Sequence, residues 1–166
     1  APVTNIQVYV TLVDAQGTPL KSRLTLAAAD YLAPGERAPF AVLFNEAIAG
    51  EAVGVHFELL RGEFVSQITS GFIPLTVSEV DGGMSGPQYR VSGQVVNNAD
   101  VTVGQVTVVV ALYDEEQHII GYRQAILNRD TPLAPGQGRA FRLLLTAQVL
   151  DDPSDFRVIA WGSRVD

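Results

Sequence analysis

The sequence predicts an all-β protein of the sandwich type, present as two tandem copies of which the first lacks its opening strands. Three observations carry this reading. First, the chain repeats itself. "PVTNIQVYVTLVDAQGTPL" (2–20) aligns with "DVTVGQVTVVVALYDEEQHII" (100–120), placing Ile6, Val8, Val10, Leu12 and Asp14 on Val106, Val108, Val110, Leu112 and Asp114. Second, apolar residues in both stretches recur at every second position, the period that puts them on one face of a strand. Third, one inserted residue further on, Leu32-Ala33-Pro34-Gly35 aligns with Leu133-Ala134-Pro135-Gly136, and Phe40 with Phe141.

The elements follow in order. The first strand of each copy stops at a polar turn, "DAQG" (14–17) or "DEEQ" (114–117), and an apolar strand such as "HIIGYRQAI" (118–126) returns from it, so each pair reads as a hairpin. In the Leu-Ala-Pro-Gly segment, Pro presets φ near −65° for the first central position of a turn, and Gly accepts the positive φ that a type II turn requires next. "APFAVLF" (38–44) and "RAFRLLLT" (139–146) are expected to be strands that bury Phe40 and Phe141. "FNEAIAGEA" (44–52) and "TAQVLDDPSD" (146–155) each suit a single helical turn. "VGVHFELL" (53–60) and "DFRVIAWG" (155–162) close the copies as strands.

The second copy has more. "FIPLTVSEV" (72–80) reads as a strand ending in the turn "DGGMSGP" (81–87), and "QYRVSGQVVNNAD" (88–100) alternates Tyr89, Val91, Gly93 and Val95 on one face. That makes about six or seven strands over about 95 residues, the size and spacing of an immunoglobulin-like sandwich. Boundaries of 1–64 and 65–166 follow. The first copy has only Ala1 and Pro2 where the second has 72–102, so it is expected to have an incomplete core and an open strand edge. Three things could cover it: the connector "GEFVSQITSGFI" (62–73) folding back as a strand, the second copy, or another chain. The last is favoured, as a homodimer through the open edge of the first copy. Ala1 comes first and Met84 is the sole methionine, so the expectation is a chain taken from a longer protein, by loss of a leader or a cut in the gene.

Composition excludes several classes of function. With 47% hydrophobic and 17% charged residues, the chain can fill a core and is not a disordered segment. A net charge of −7, a single lysine (Lys21) and scattered arginines leave no basic stripe for nucleic acid. The absence of cysteine removes disulfides, thiolate metal sites and cysteine nucleophiles. The longest apolar run, "VTVVVAL" (106–112), is far short of the ~20 residues that cross a bilayer as a helix. No membrane insertion is expected in this segment, and no signal peptide is recognisable.

No residue constellation points to catalysis, a cofactor or a metal. Asp14 and Asp114 suit a turn, where a carboxylate accepts backbone hydrogen bonds. Tyr113 suits packing at a sandwich corner, and Asn97 and Asn98 suit a turn with positive φ. The acidic stretches "DEEQ" (114–117) and "DDPSD" (151–155) lack the spacing and glycine of a calcium loop and read as solvated. His56 and His118 stand singly in apolar strands, which makes neither a zinc site nor a serine triad. "GMSGP" (83–87) puts Pro87 where a nucleophile elbow must open its helix. Trp161 in the last strand reads as packing.

The motifs together resemble the FxLYD domain family, immunoglobulin-like modules of bacteria and archaea. Val110-Ala111-Leu112-Tyr113-Asp114 matches the naming motif with Val for its leading Phe, and Val10-Thr11-Leu12-Val13-Asp14 matches it more loosely. Val91-Ser92-Gly93-Gln94-Val95-Val96-Asn97 is similar to the family's earlier strand, and the Leu-x-Pro-Gly turn with its following Phe occurs in both copies. The resemblance covers nearly all of 72–166 and about 3–60. It implies an extracytoplasmic module, often on anchored surface proteins, with no shared catalytic residues. The expected function is a non-catalytic structural or protein-binding module of a bacterial cell-surface or periplasmic protein. The alternative is a carbohydrate- or small-ligand-binding sandwich accessory to an enzyme.

Overall fold

A computed structural model describes residues 1–64, 71–127, 131–146 and 153–165. In chain order its elements are β1 (Val3–Val13), β2 (Pro19–Leu26), β3 (Tyr31–Leu32), the helix α1 (Glu46–Glu51), β4 (Gly54–Phe64), β5 (Phe72–Pro74), β6 (Thr76–Ser85), β7 (Gln88–Val96), β8 (Val103–Tyr113), β9 (Ile119–Leu127), β10 (Gly138–Leu145) and β11 (Asp155–Arg164). The protein is all-β apart from α1, and it divides into two units, Ala1–Val65 and Ser66–Asp166.

The second unit is a complete β-sandwich. One sheet has the order β10-β7-β6 and the other β5-β11-β8-β9, with every pairing antiparallel. Alternation explains the core between them. Val106, Val108, Val110 and Leu112 of β8, all fully buried, meet Val91 and Val95 of β7 and Phe141, Leu143 and Leu145 of β10. β8 is central in its sheet, and its other face (Thr107, Val109, Ala111, Tyr113) is buried too, which explains why its sequence is apolar at almost every position. Trp161 is buried on β11, and Tyr113 packs under the Arg157 guanidinium, 5.2 Å from its ring centroid. Burial, then the charges of Asp155 and Asp81, pushes the Tyr89 phenol above its ordinary range.

"FIPLTVSEV" is two strands rather than one. β5 pairs with β11, β6 pairs with β7, and the chain changes sheets at Leu75, whose N–H donates to the Ala160 carbonyl at 3.0 Å. Pro74 has no N–H to continue a ladder, which fits the break. β6 then runs on to Ser85, so the turn is only Gly86-Pro87. Gly86 (φ +62°) supplies the left-handed position that a two-residue hairpin needs first.

The first unit has the same central sheet. β1 pairs with β2 and, beyond it, with β3 on one edge, and with β4 on the other. The corresponding pairs in the second unit are β8 with β9, the bridge Val103–Leu133 matching Val3–Leu32, and β8 with β11. The punctuation recurs as well. Ala33 O and Ala134 O each accept the turn bond from three residues on, at 3.1 and 3.0 Å, and Gly35 and Gly136 take φ of +85° and +75°. Gly62 and Gly162 both lie against the first valine of the central strand, Val3 and Val103, where a Cβ would meet the valine Cγ1. Val8, Val10 and Leu12 are buried as expected, whereas Ile6 is only half-buried. It follows Asn5, whose φ of +52° marks a bulge that shifts the β1–β4 register.

One expectation for the first unit fails. Residues 38–44 are not a strand. Their counterpart β10 pairs along its whole length with β7, and the described residues of the first unit hold no equivalent of β7. Of the connector 62–73, one of the three covers considered, the two ends are described. Gly62–Phe64 ends β4, Phe72–Pro74 is β5 of the second unit, and 65–70 lie outside the described residues. "FNEAIAGEA" does hold a short helix, α1, capped by Asn45, whose Oδ1 accepts the Ile48 N–H at 3.0 Å. "TAQVLDDPSD" falls mostly outside the described residues.

Candidate binding surface

Among the described residues, no second sheet covers the sheet of the first unit. Residues 38–44, which form no strand, are held by two carbonyls on the β2 side: Pro39 O accepts from Ala28 N at 2.7 Å, and Ala41 O from the Thr25 hydroxyl at 2.9 Å. Phe40, Val42 and Phe44 alternate with them and pack on Val10 and Leu12 of β1 and Val55 and Phe57 of β4, leaving an apolar groove of about 310 Å³. The Phe40 and Phe57 rings meet edge to face at 5.6 Å, and the Arg23 guanidinium lies 5.9 Å from the Phe44 ring centroid. Among the described residues, the backbones of Phe40 and Val42 make no hydrogen bond.

Exposure shows what is missing. Phe57 is 64% and Leu59 68% accessible, and Val55 is also open. By register with the central strand, Leu59 stands opposite Val8 as Ala160 stands opposite Val108, and Ala160 is only 8% accessible, under the second sheet. An array of large exposed apolar side chains on one sheet face is what a soluble fold avoids unless the face is used. At the far end of β4, Glu63 accepts from Asn5 Nδ2 at 3.2 Å and pairs with Arg61, and these partners, Asn5 first, hold its carboxyl below the usual carboxylate range.

The residues weighed from the sequence lie elsewhere. Asp14 Oδ1 accepts the N–H groups of Gln16 and Thr18 at 2.9 and 2.8 Å, and Asp114 Oδ1 accepts that of His118 at 2.7 Å, so both carboxylates brace their turns. His118 is not isolated in a strand: it sits in the turn with Nδ1 3.1 Å from Asp114 Oδ2. Asp114, Glu116 and His118 bring their ligand atoms within 4.8 Å of one another. In the first unit the same turn holds Asp14, Gln16 and Thr18, so its geometry does not depend on that set. His56 is exposed on β4.

Asn97 and Asn98 do not adopt positive φ, which among non-glycine described residues belongs to Asn5, Glu79 and Gln117. Asn97 is fully buried instead. Its Nδ2 donates to Val101 O and Leu133 O, both at 2.9 Å, and its Oδ1 accepts from Ala99 N at 3.1 Å. Its backbone meets the Leu-Ala-Pro-Gly turn, with Gly136 N donating to Asn97 O at 2.7 Å. Sequence reasoning passed over Phe57 and Leu59. Their signal lay in the pattern: "VGVHFELL" carries Val55, Phe57 and Leu59 on the face that "DFRVIAWG" fills with Phe156, Val158 and Ala160.

Among the described residues no helix is long and apolar enough to cross a membrane. No protein-family model matches the chain, and no curated protein matches it.

Proposed function

We propose that the chain is a non-catalytic, immunoglobulin-like structural and protein-binding module of a bacterial cell-surface or periplasmic protein. In this reading it consists of two FxLYD-like copies, and the first copy binds a protein partner through its open side. One observation carries the reading. Among the described residues, the first unit repeats the pairing of β8, β9 and β11 but gives the backbones of Phe40 and Val42 no hydrogen bond beside exposed Phe57 and Leu59. A protein partner satisfies both halves of that surface, since it brings backbone donors and acceptors together with apolar side chains. A carbohydrate fits less well, because the groove is lined by aliphatic and phenylalanine side chains without hydroxyl or amide partners. A second copy of this chain is the other protein occupant, and solution mass separates it from a foreign one.

Site-specific photocrosslinking tests the proposal. A photoreactive residue replaces Leu59 in one variant and the exposed Glu116 in another, each produced in the natural host. The expected result is a discrete polypeptide adduct from position 59 and none from position 116. Equal adducts from both positions, or none from 59, contradict the reading.

A further inference from the structure

β4 is exposed on both of its faces. Every residue from Val55 to Arg61 is accessible, and among the described residues the only strand beside it is β1. Its outer edge carries N–H and C=O groups with no backbone partner among the described residues. A long edge strand in that condition is a template for pairing with another strand. The order of residues along β4 says which one.

Register with β1 sorts the side chains. Val55, Phe57 and Leu59 stand opposite Leu12, Val10 and Val8, whereas His56, Glu58 and Arg61 stand opposite Thr11, Tyr9 and Gln7 on the other face. Leu60 is an extra residue between Leu59 and Arg61, a bulge that brings Arg61 and its ion-pair partner Glu63 to the face of Glu58. Two copies of β4 laid antiparallel about a two-fold axis between Leu59 and Leu60 are then complementary. Glu58 of one copy faces Arg61 of the other, and His56 faces Glu63. On the apolar face Leu59 meets Leu60, and Phe57 lies over Gly62, an aromatic ring covering a strand glycine. The bulge is what makes this possible, since in an unbroken strand such partners would fall on opposite faces. Neighbouring registers are worse. A slide of two residues one way sets Glu58 against Glu63, and the other way leaves Glu58 facing Leu59. Like charges directly opposite destabilise a sheet.

We propose that the protein partner of the first unit is a second copy of this chain, joined by antiparallel pairing of the two β4 strands into one continuous sheet, with Glu58 of each copy opposite Arg61 of the other. This rests on the protein-binding reading above and names the partner. What selects a second copy is the strand itself, which supplies both members of every pair. Such a contact is isologous and closes at two copies. Pairing follows mass action, so the chain is a monomer when dilute.

Sedimentation equilibrium of the full chain over a range of concentrations is the test, with the fold of each variant checked by its β1 amide signals. The parent chain is expected to pass from monomer to dimer as concentration rises. Glu58→Arg sets arginine against arginine on both sides of the axis, and Arg61→Glu sets glutamate against glutamate. Each change alone weakens the dimer by about tenfold or more. Mixed in equal amounts, the two variants form a heterodimer about as tight as the parent dimer, because every arginine then faces a glutamate. A parent chain that stays monomeric at every concentration overturns the self-pairing, and crosslinking from position 59 still decides whether a protein docks there. A dimer indifferent to the reversals, or a mixture no tighter than its components, overturns the pairing of β4 with β4.

Discussion

Phe141→Ala lowers the stability of the second unit by about 3–5 kcal/mol, the range for removing a buried aromatic ring from a packed core. Phe40→Ala, the same change at the matching place, lowers the first unit by well under half as much. The reason is the second layer. Phe141 is 5% accessible and packs between two sheets, over Gly93 and beside Leu143 and Leu145. Phe40 is half-buried, with a sheet beneath it and a groove beside it. Urea unfolding followed by tryptophan fluorescence reports the second unit alone, because Trp161 is the only tryptophan and lies buried on β11. Amide signals from β1 report the first unit. Equal losses in the two units would mean that Phe40 sits in a complete core.

Asn97→Ala is expected to destabilise the second unit by about 2–4 kcal/mol. The side chain makes three hydrogen bonds from a fully buried position; truncation leaves the Val101 carbonyl and the Ala99 N–H without that partner, while the Leu133 carbonyl keeps the Val103 N–H at 3.0 Å, and each buried group left unsatisfied costs roughly 1–3 kcal/mol. Asn97→Asp does at least as much damage, since it keeps the acceptor for Ala99 and places a carboxylate against two carbonyls. Asn97 belongs to the second unit and its hydrogen bonds stay within it, so the unfolding of the first unit does not move in either variant. The midpoint of the Trp161 transition checks the first expectation, and unchanged β1 amide signals check the second. A loss below 1 kcal/mol would remove Asn97 from its place as the tie between β7 and the Leu-Ala-Pro-Gly turn.

The central strands, both polar turns and the two Leu-Ala-Pro-Gly turns were legible in the sequence because each depends on local chemistry. Alternation sets the faces of β1 and β8, Asp14 and Asp114 brace the chain beside them, and Gly35 and Gly136 accept positive φ. What escaped depends on partners distant in the chain. Residues 38–44 have the pattern of β10 and the same phenylalanine, yet strand structure needs a neighbour, and the described residues of the first unit hold no counterpart of β7. The bulge at Asn5 and the change of sheet after Pro74 likewise follow from register between strands. Asn97 was assigned to a turn because its residue type favours one, whereas its burial is created by Leu133, 36 positions away. Exposure at Phe57 and Leu59 was not legible, because it depends on what packs over β4 and not on the alternation within β4 itself.

Hydrogen exchange on the purified chain, with its mass in solution confirmed as a monomer, tests the central claim most directly. Residues 38–44 and 139–145 are compared in one sample. The account predicts slow exchange at Phe141, Leu143 and Leu145, which sit in the ladder between β10 and β7, and exchange close to that of an unprotected chain at Phe40 and Val42. Comparable protection at the two sets of amides in a monomer would mean that the first unit already has its second sheet, and the account of an incomplete sandwich would be wrong.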